Sequence, residues 1–530
     1  MTGKYDAIVI GGGHNGLVAA AYLAKAGKRV VVLERRPLVG GAAVSEEVFP
    51  GFKFSVFSYV VSLLRPEIIR DLELPRHGLQ VLPLESTVTP MENGDYLASW
   101  SDPDETRREL ERHSRKDAEA AVLFSQLMHH MAMAVRPILA MVPPDPSSLS
   151  VGDLRGMMKL GRHFRGIGAE KFHALHKLMT MASADYLDEW YEFDTLKATK
   201  SASGIIGTML GPRSPGSAYV LLHHYMGEID GAFRAWGFQK GGTGAISESI
   251  ASSARASGAE IRMNAGVAKV LVKNGRATGV ALANGDEILA PIVISGLDPR
   301  RTFIDLVERK ELPDDVVEGI ERYRFRGSSG KVNLALAGLP EFTCLAGDSA
   351  KALRALRGAI SISPTMEYVE RAYDDAKYGD FSRNPYMDVV IPSLIDPGMA
   401  PPGRHVMSIF VQYAPYDVKG GWTDAKREAF GDTVVNTLSR FAPNLKSLIL
   451  HRQVMTPLDI ENTTGLSEGN IFGGELALSQ LFFLRPVAGI AKYRTPIRGY
   501  WQCGAGTHPG GGIMGASGRL AALEILGGRR

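Results

Sequence analysis

Apolar positions change period several times along the chain. Near the start, Ala7–Ile10 and residues 29–33 are short, uninterrupted apolar runs, and the stretch 17–26 between them is rich in alanine and leucine and closed by Gly27. Such runs predict strands of a parallel sheet buried on both faces, joined by a small-residue helix. Residues 104–196 carry few alternations and read as helical, with a break at Pro143-Pro144. After the glycine turn Gly241, Gly242 and Gly244 the pattern predicts a helix to Ala256, then short strands at 260–263, 267–272, 279–282 and 292–295. The dipeptides Asn274-Gly275 and Asn284-Gly285 predict hairpin turns between them. Further on, 331–337, 387–392 and 405–412 read as strands among helices, and residues 500–526 as strand, glycine-rich loop and helix. The fold class is therefore α/β.

The first strand–turn–helix carries Gly11, Gly13 and Gly16 as G-x-G-x-x-G, with Glu34 at the tip of the following strand. Gly11 permits the tight turn, Gly13 lets the backbone approach a pyrophosphate, and Gly16 lets helix and strand pack closely. The helix N-terminus offers free N–H groups to phosphates, and Glu34 stands where a carboxylate accepts hydrogen bonds from an adenosine ribose. A carboxylate there repels a 2′-phosphate, so FAD or NAD is favoured over NADP, although Arg35 and Arg36 follow it. Gly40 and Gly41 form a glycine pair just beyond. The later glycine turn at 241–244 reads G-x-G-x-x-S with no acid after its next strand. It predicts part of one composite domain rather than a second nucleotide fold.

At 530 residues the chain can hold two or more domain-sized units, and 45% hydrophobic with 22% charged residues is ordinary for a globular protein. A net charge of +3 gives no reason to expect nucleic acid. No apolar run reaches the length of a bilayer span; the longest, 56–64, is interrupted by Ser58 and Ser62. The first strand begins so soon after Met1 that no signal or transit peptide is expected, and the setting expected is cytoplasmic. Cys344 and Cys503 are far apart with no C-x-x-C, which excludes a redox dithiol of the usual spacing. No metal site is expected: His223-His224 are consecutive and point different ways from a helix.

At the far end, GAGTHPGGGIMGASG predicts a helix N-terminus with backbone N–H groups around 511–514, where they would meet a docking ligand. Together with the N-terminal motif this stretch resembles the phytoene desaturase and carotenoid/retinoid oxidoreductase family of FAD flavoproteins, over nearly the whole chain. Within that family, residues 215–254 and 485–518 look like the branch named for a pyridine nucleotide-disulfide oxidoreductase domain, although this chain has neither a dithiol nor a second nucleotide motif. The resemblance implies that Gly11, Gly13, Gly16 and Glu34 hold the ADP half of FAD. It implies that Gly40 and Gly41 flank the pyrophosphate and that Val267 contacts the adenine side. Gly504, Thr507, Gly510, Gly511, Gly512 and Ile513 would lie along ribityl and flavin. The segment 54–64 departs from the corresponding segment of carotenoid desaturases.

The expected architecture is a Rossmann-like FAD-binding domain with a parallel sheet, assembled from residues 1–70, 240–300 and 485–530. An inserted α+β substrate-binding and helical portion comprises 71–239 and 301–484. The expected chemistry is hydride transfer between an apolar, isoprenoid- or lipid-like substrate and flavin N5, with quinone or oxygen as electron acceptor. His508, beside the flavin loop, is the candidate catalytic side chain, with a purely structural role as its alternative. A flavin amine oxidase-like enzyme and a regulatory flavoprotein acting through partner binding are competing readings. Residues 153–168 carry Leu154, Met157, Met158, Gly161 and Phe164 on one helical side and Arg155, Lys159, Arg162 and Arg165 elsewhere. That pattern fits either peripheral contact with a membrane or a face packed on the core.

Overall fold

Each of the short apolar runs is too brief to stand alone, and together they form one parallel sheet. Its order is Glu260–Arg262, Val30–Leu33, Ala7–Ile10, Ile292–Ser295 and Tyr500–Gln502. A computed structural model describes residues 4–229, 232–233 and 236–527 of the chain. Ala7 lies opposite both Val30 and Ile292, and Val293 opposite Tyr500, so segments hundreds of residues apart share one register. The composite α/β fold read from the sequence is the fold observed.

Side-chain alternation divides the sheet into two faces. Ala7, Val9, Val30, Val32 and Ile294 point into a core built by three helices, His14–Lys25, Gly244–Ala256 and Ala516–Ile525. Ile8, Ile10, Val31, Leu33 and Val293 point the other way. There the strands Val267–Lys273, Arg276–Leu282 and Glu287–Leu289 form an antiparallel sheet, and Phe303, Val316 and Ile320 complete the layer. Asn274 and Gly275 both adopt positive φ, as the hairpin turn at this place demands.

The remainder is built around a second, mostly antiparallel sheet ordered Ile449–Met455, Ser329–Leu336, His405–Gln412, Tyr386–Val390, Ala359–Ile362, Ser86–Pro90 and Tyr96–Trp100. The strands at 86–90 and 96–100 precede the helical region and were not expected there. The helical region itself runs through Pro103–Glu111, Arg115–Leu139, Val151–Ile167 and Ala169–Thr180, interrupted around Pro143-Pro144 as expected. Phe124 is fully buried at its centre against Tyr186, Trp190, Tyr191 and Tyr225.

The first and last helices meet at glycine. A Cβ on Gly518 would stand 2.1 Å from the carbonyl oxygen of Asn15, whereas one on Gly161, in an exposed helix, meets nothing within 4 Å. Gly518→Ala is therefore expected to destabilise the protein by about 2 kcal/mol or more, and Gly161→Ala to stabilise it by about 0.5–1 kcal/mol. Thermal unfolding followed by near-ultraviolet circular dichroism checks this; equal midpoints for the two variants would refute the close helix contact.

Candidate functional site

The carboxyl ends of the parallel strands open into a cleft closed by residues 40–43, 57–60, 62–63, 464–466, 471–473 and 512–513. Gly11 turns the chain out of the first strand at φ +90°, and its N–H donates to the Leu33 carbonyl at 2.8 Å. Glu34 is held at the strand tip: one carboxylate oxygen accepts from the Gly12 N–H at 2.7 Å and the other from the Arg36 N–H at 2.9 Å.

Several polar atoms around this turn are buried and without a hydrogen-bond partner. They are His14 Nε2, Asn15 Oδ1 and Arg36 Nη1, and all three residues line the cleft. Arg36 uses its other nitrogen on Glu46 at 2.8 Å. Burial pushes the His14 imidazole down to about 4, so it stays neutral. The helix His14–Lys25 has Gly13 at its N-cap and no side-chain cap, so its first N–H groups are left to a ligand. A Cβ on Gly13 would meet no protein atom within 4 Å; it would project into the cleft. These residues fit a dinucleotide: open donors face where phosphates sit, and the glycine leaves a space that a side chain would fill.

Gly11, Gly13, Glu34, Gly40, Gly41, Gly512 and Ile513 all line the cleft, so the two ends of the chain meet there. The other expected residues stand elsewhere. Gly16 lies beneath the turn, where a Cβ would come 2.4 Å from the Gly11 carbonyl oxygen. Val267 pairs with Leu282 in the antiparallel sheet, outside the lining. Gly504 packs against the Leu297 carbonyl, and the Thr507 hydroxyl donates to the Gly504 carbonyl at 2.8 Å. Gly510 and Gly511 are backed by Leu476 and Phe472, behind the surface formed by Gly512. His508 is buried in the wall and absent from the lining, its Nε2 3.1 Å from the Ile138 carbonyl oxygen; burial pushes it down to about 4. The last helix begins at Ala516, so residues 511–514 belong to the loop and not to the helix end expected from the sequence.

Aromatic side chains form much of the remaining wall, and no local pattern of residues announces them. Tyr59 stacks on Phe410 with centroids 5.3 Å apart and planes 18° from parallel, and its hydroxyl donates to Asp388 at 2.8 Å. Burial raises the Asp388 carboxyl above the ordinary carboxylate range. His224 lies parallel to Trp236 at 6.0 Å, bonded through Nδ1 to the Val220 carbonyl. His223 instead faces the Gly511 carbonyl, so the two neighbours do point apart. Among the described residues no group of three histidines, cysteines or acids is placed to hold a metal ion.

Lys331 positions the wall without lining it. Its ammonium, fully buried, donates to the carbonyls of Ser55, Phe57 and Ser58 at 3.0, 3.1 and 3.2 Å, and so fixes the segment that leads to Tyr59. The one sequence signal was polar Lys331 and Asn333 at alternate positions of an otherwise apolar strand. Burial lowers the amine to about 7 while the carbonyls favour the charged form. The folded-state value lies below that of an unfolded lysine. The cost of burying the charge is thus present in full below about pH 7 and is relieved as pH rises towards the unfolded value near 10.4. Lys331→Met should cost about 3 kcal/mol or more by leaving three buried carbonyls without a donor. Wild-type stability should also rise, relative to the variant, from about pH 7 to about pH 9. Melting temperatures across that range test it; a flat difference would show that the amine keeps its proton.

Residues 16–526 match the family described as flavin containing amine oxidoreductase. The chain is 41% identical to pyridine nucleotide-disulfide oxidoreductase domain-containing protein 2 of Rattus norvegicus, over 99% of this chain and 93% of the relative. A phytoene desaturase (lycopene-forming) of a Paracoccus species is 26% identical over 97% and 96% of the two chains. Among solved structures, a putrescine oxidase bound to putrescine superposes with a TM-score of 0.60 over 99% of both chains at 16% identity, which is a likeness of fold. With an open dinucleotide cradle at the sheet edge and a family match across almost its whole length, the chain belongs to the flavin containing amine oxidoreductase family and is an FAD-dependent oxidoreductase.

Proposed function

We propose that the protein moves hydride between an apolar, isoprenoid- or lipid-like substrate and flavin N5, as a desaturase or saturase does. The observation that carries this reading is the character of the cleft away from the cofactor turn. Phe57, Val60, Leu63, Ile206, Ile471 and Phe472 line it, and they exclude water from a reacting carbon. Among the described residues the lining contains two carboxylates, and both are already engaged. Glu34 is held by backbone N–H groups, and Asp298 accepts from the Ser467 N–H and hydroxyl at 2.8 and 3.0 Å and from the Arg301 N–H at 3.1 Å. None is left to hold a cationic amine.

Bound FAD supplies the hydride acceptor or donor. The chain's own part is to bind, orient and dry. His14, Asn15 and Arg36 offer their open polar atoms to the nucleotide end, and the apolar side chains press the substrate carbon towards the ring. The likeness of the Paracoccus relative, by its name a phytoene desaturase, supports the substrate class. Quinone or oxygen as the final electron acceptor fits a cleft without redox cysteines, since Cys503 is buried and Cys344 lies apart.

Amine oxidation is the second reading, favoured by the fold it shares with putrescine oxidase and by the rings of Tyr59, Phe410 and Trp236 in the lining. Tyr59 and Phe410 are stacked face to face, which makes them one wall rather than two sides of a slot.

Two experiments test these proposals. Gly13→Val should fold, because its side chain meets no protein atom, yet purify without flavin; full flavin content would remove the cradle from the site. Anaerobic mixing of the flavin-loaded protein with isoprenoid alkenes, their saturated counterparts and primary amines should bleach or restore the visible flavin band with the hydrocarbons alone. Bleaching by amines and by no hydrocarbon would transfer the assignment to amine oxidation.

A further inference from the structure

We infer that the helix Val151–Ile167 docks this protein on an anionic lipid surface. The helix turns its back on the core in an unusual way: of its seventeen residues, Asp153 alone is buried. At about 100° per residue, Asp153, Gly156, Leu160, His163, Phe164 and Ile167 share one side, and these are the residues that are not fully exposed. Val151, Leu154, Arg155, Met158, Arg162 and Arg165 share the opposite side. Leu154, Met157, Met158 and Gly161, four of the five residues whose spacing would also suit core packing, stand exposed. The exposure is substantial: 65% for Val151, 53% for Met158 and 88% for Leu149 just before the helix.

The inward side is fixed, so the helix cannot roll to hide these residues. Asp153 pairs with Lys492 and accepts from the Ser150 hydroxyl at 2.6 Å and the Asp145 N–H at 2.9 Å. His163 Nε2 is 2.7 Å from the Ala134 carbonyl oxygen. Gly156 packs on Pro144 so closely that a Cβ would fall 2.8 Å from it.

Charge decides what covers the outward side. Arg155, Lys159, Arg162, Arg165 and, on the next helix, Lys171 are exposed, and among the described residues none of them forms an ion pair. Some surface arginines elsewhere are paired, as Arg107 is with Glu111 and Arg371 with Glu367. Apolar side chains interleaved with free guanidinium groups match a bilayer interface: the former enter the acyl boundary and the latter meet phosphates. A second copy of the chain fits poorly, because a twofold interface sets the same patch against itself and would oppose these cations to each other. Among the described residues no helix is long and apolar enough to cross a membrane, so the contact is a surface one.

A second cavity lies beyond the segment that closes the cofactor cleft. Val60 and Leu63 line the cleft, Val61 and Leu64 line the cavity, and Ser62 borders both. Glu228 in the cavity wall pairs with Arg136 at 2.6 Å, two residues along the same helix from the Ala134 carbonyl that meets His163.

The test uses the flavin-loaded full chain and vesicle flotation, with no turnover required. Phosphatidylcholine vesicles containing phosphatidylglycerol should carry the protein, pure phosphatidylcholine vesicles should not, and added salt should weaken binding. Leu154→Glu with Met158→Glu, and separately Arg162→Glu with Arg165→Glu, should each reduce binding about tenfold or more, with flavin content and melting temperature unchanged. Equal recovery on both lipids, or unaltered binding in the Leu154/Met158 variant, would overturn the proposal. So would failure of the wild type to float together with a concentration-dependent dimer, measured by light scattering, that either variant dissolves.

Discussion

The cofactor site depends on one close contact, the crossing of the first helix by the last. Gly518 lies against the Asn15 carbonyl, and the alanines at positions 19, 20 and 21, all buried, keep the first helix slim enough to be approached. The strands that carry residues 11–15 and 512–513, Ala7–Ile10 and Tyr500–Gln502, do not touch each other. Ile292–Ser295 stands between them and supplies the register for both. The site is thus a product of tertiary closure, and neither glycine loop has a function before the middle segment has joined the sheet.

Two buried cations then set the walls, and both are solvated by backbone carbonyls instead of carboxylates. Lys331 gathers the carbonyls of residues 55, 57 and 58. Arg485, fully buried, gathers those of Phe472, Gly474, Glu475, Gln480 and Ala505, and so joins the loop behind the aromatic wall to the C-terminal glycine loop. Carbonyl dipoles satisfy the donors without adding negative charge.

The cofactor frame was legible because its requirements are local. A turn with positive φ at Gly11, an acid at the end of the next strand and paired hairpin glycines are all written within a few residues. The walls were not legible, because their partners are remote. Tyr59 meets Phe410 and Asp388, and Lys331 meets residues 55–58; nothing near any of them announces the other. Strand Ser86–Pro90 is a different case: it forms a local hairpin with Tyr96–Trp100 across the turn at Asn93-Gly94, a signal present in the sequence and left unread, and joins the sheet through Ala359–Ile362. The last helix was read too early because Gly515 adopts a left-handed cap that delays it to Ala516. In the helix Val151–Ile167 apolar residues occur on both sides, so periodicity alone could not say which side faces in; the ion pair of Asp153 decides it.

This division between frame and wall bears on how one architecture serves different substrates. The frame is made by backbone approach, where added atoms collide with main chain, as at Gly16 and Gly518. It tolerates little change. The wall is made by side chains of an extended segment, with Val60 and Leu63 turned to one cavity and Val61 and Leu64 to the other. Either cavity can be reshaped by changing the side chains turned to it while the backbone, pinned by Lys331 at one end and by the bond from the Arg65 N–H to the Met514 carbonyl at the other, stays in place. On the proposed function, changes at Phe57, Tyr59, Val60 and Leu63 would alter substrate choice while leaving the glycine frame that receives FAD in place.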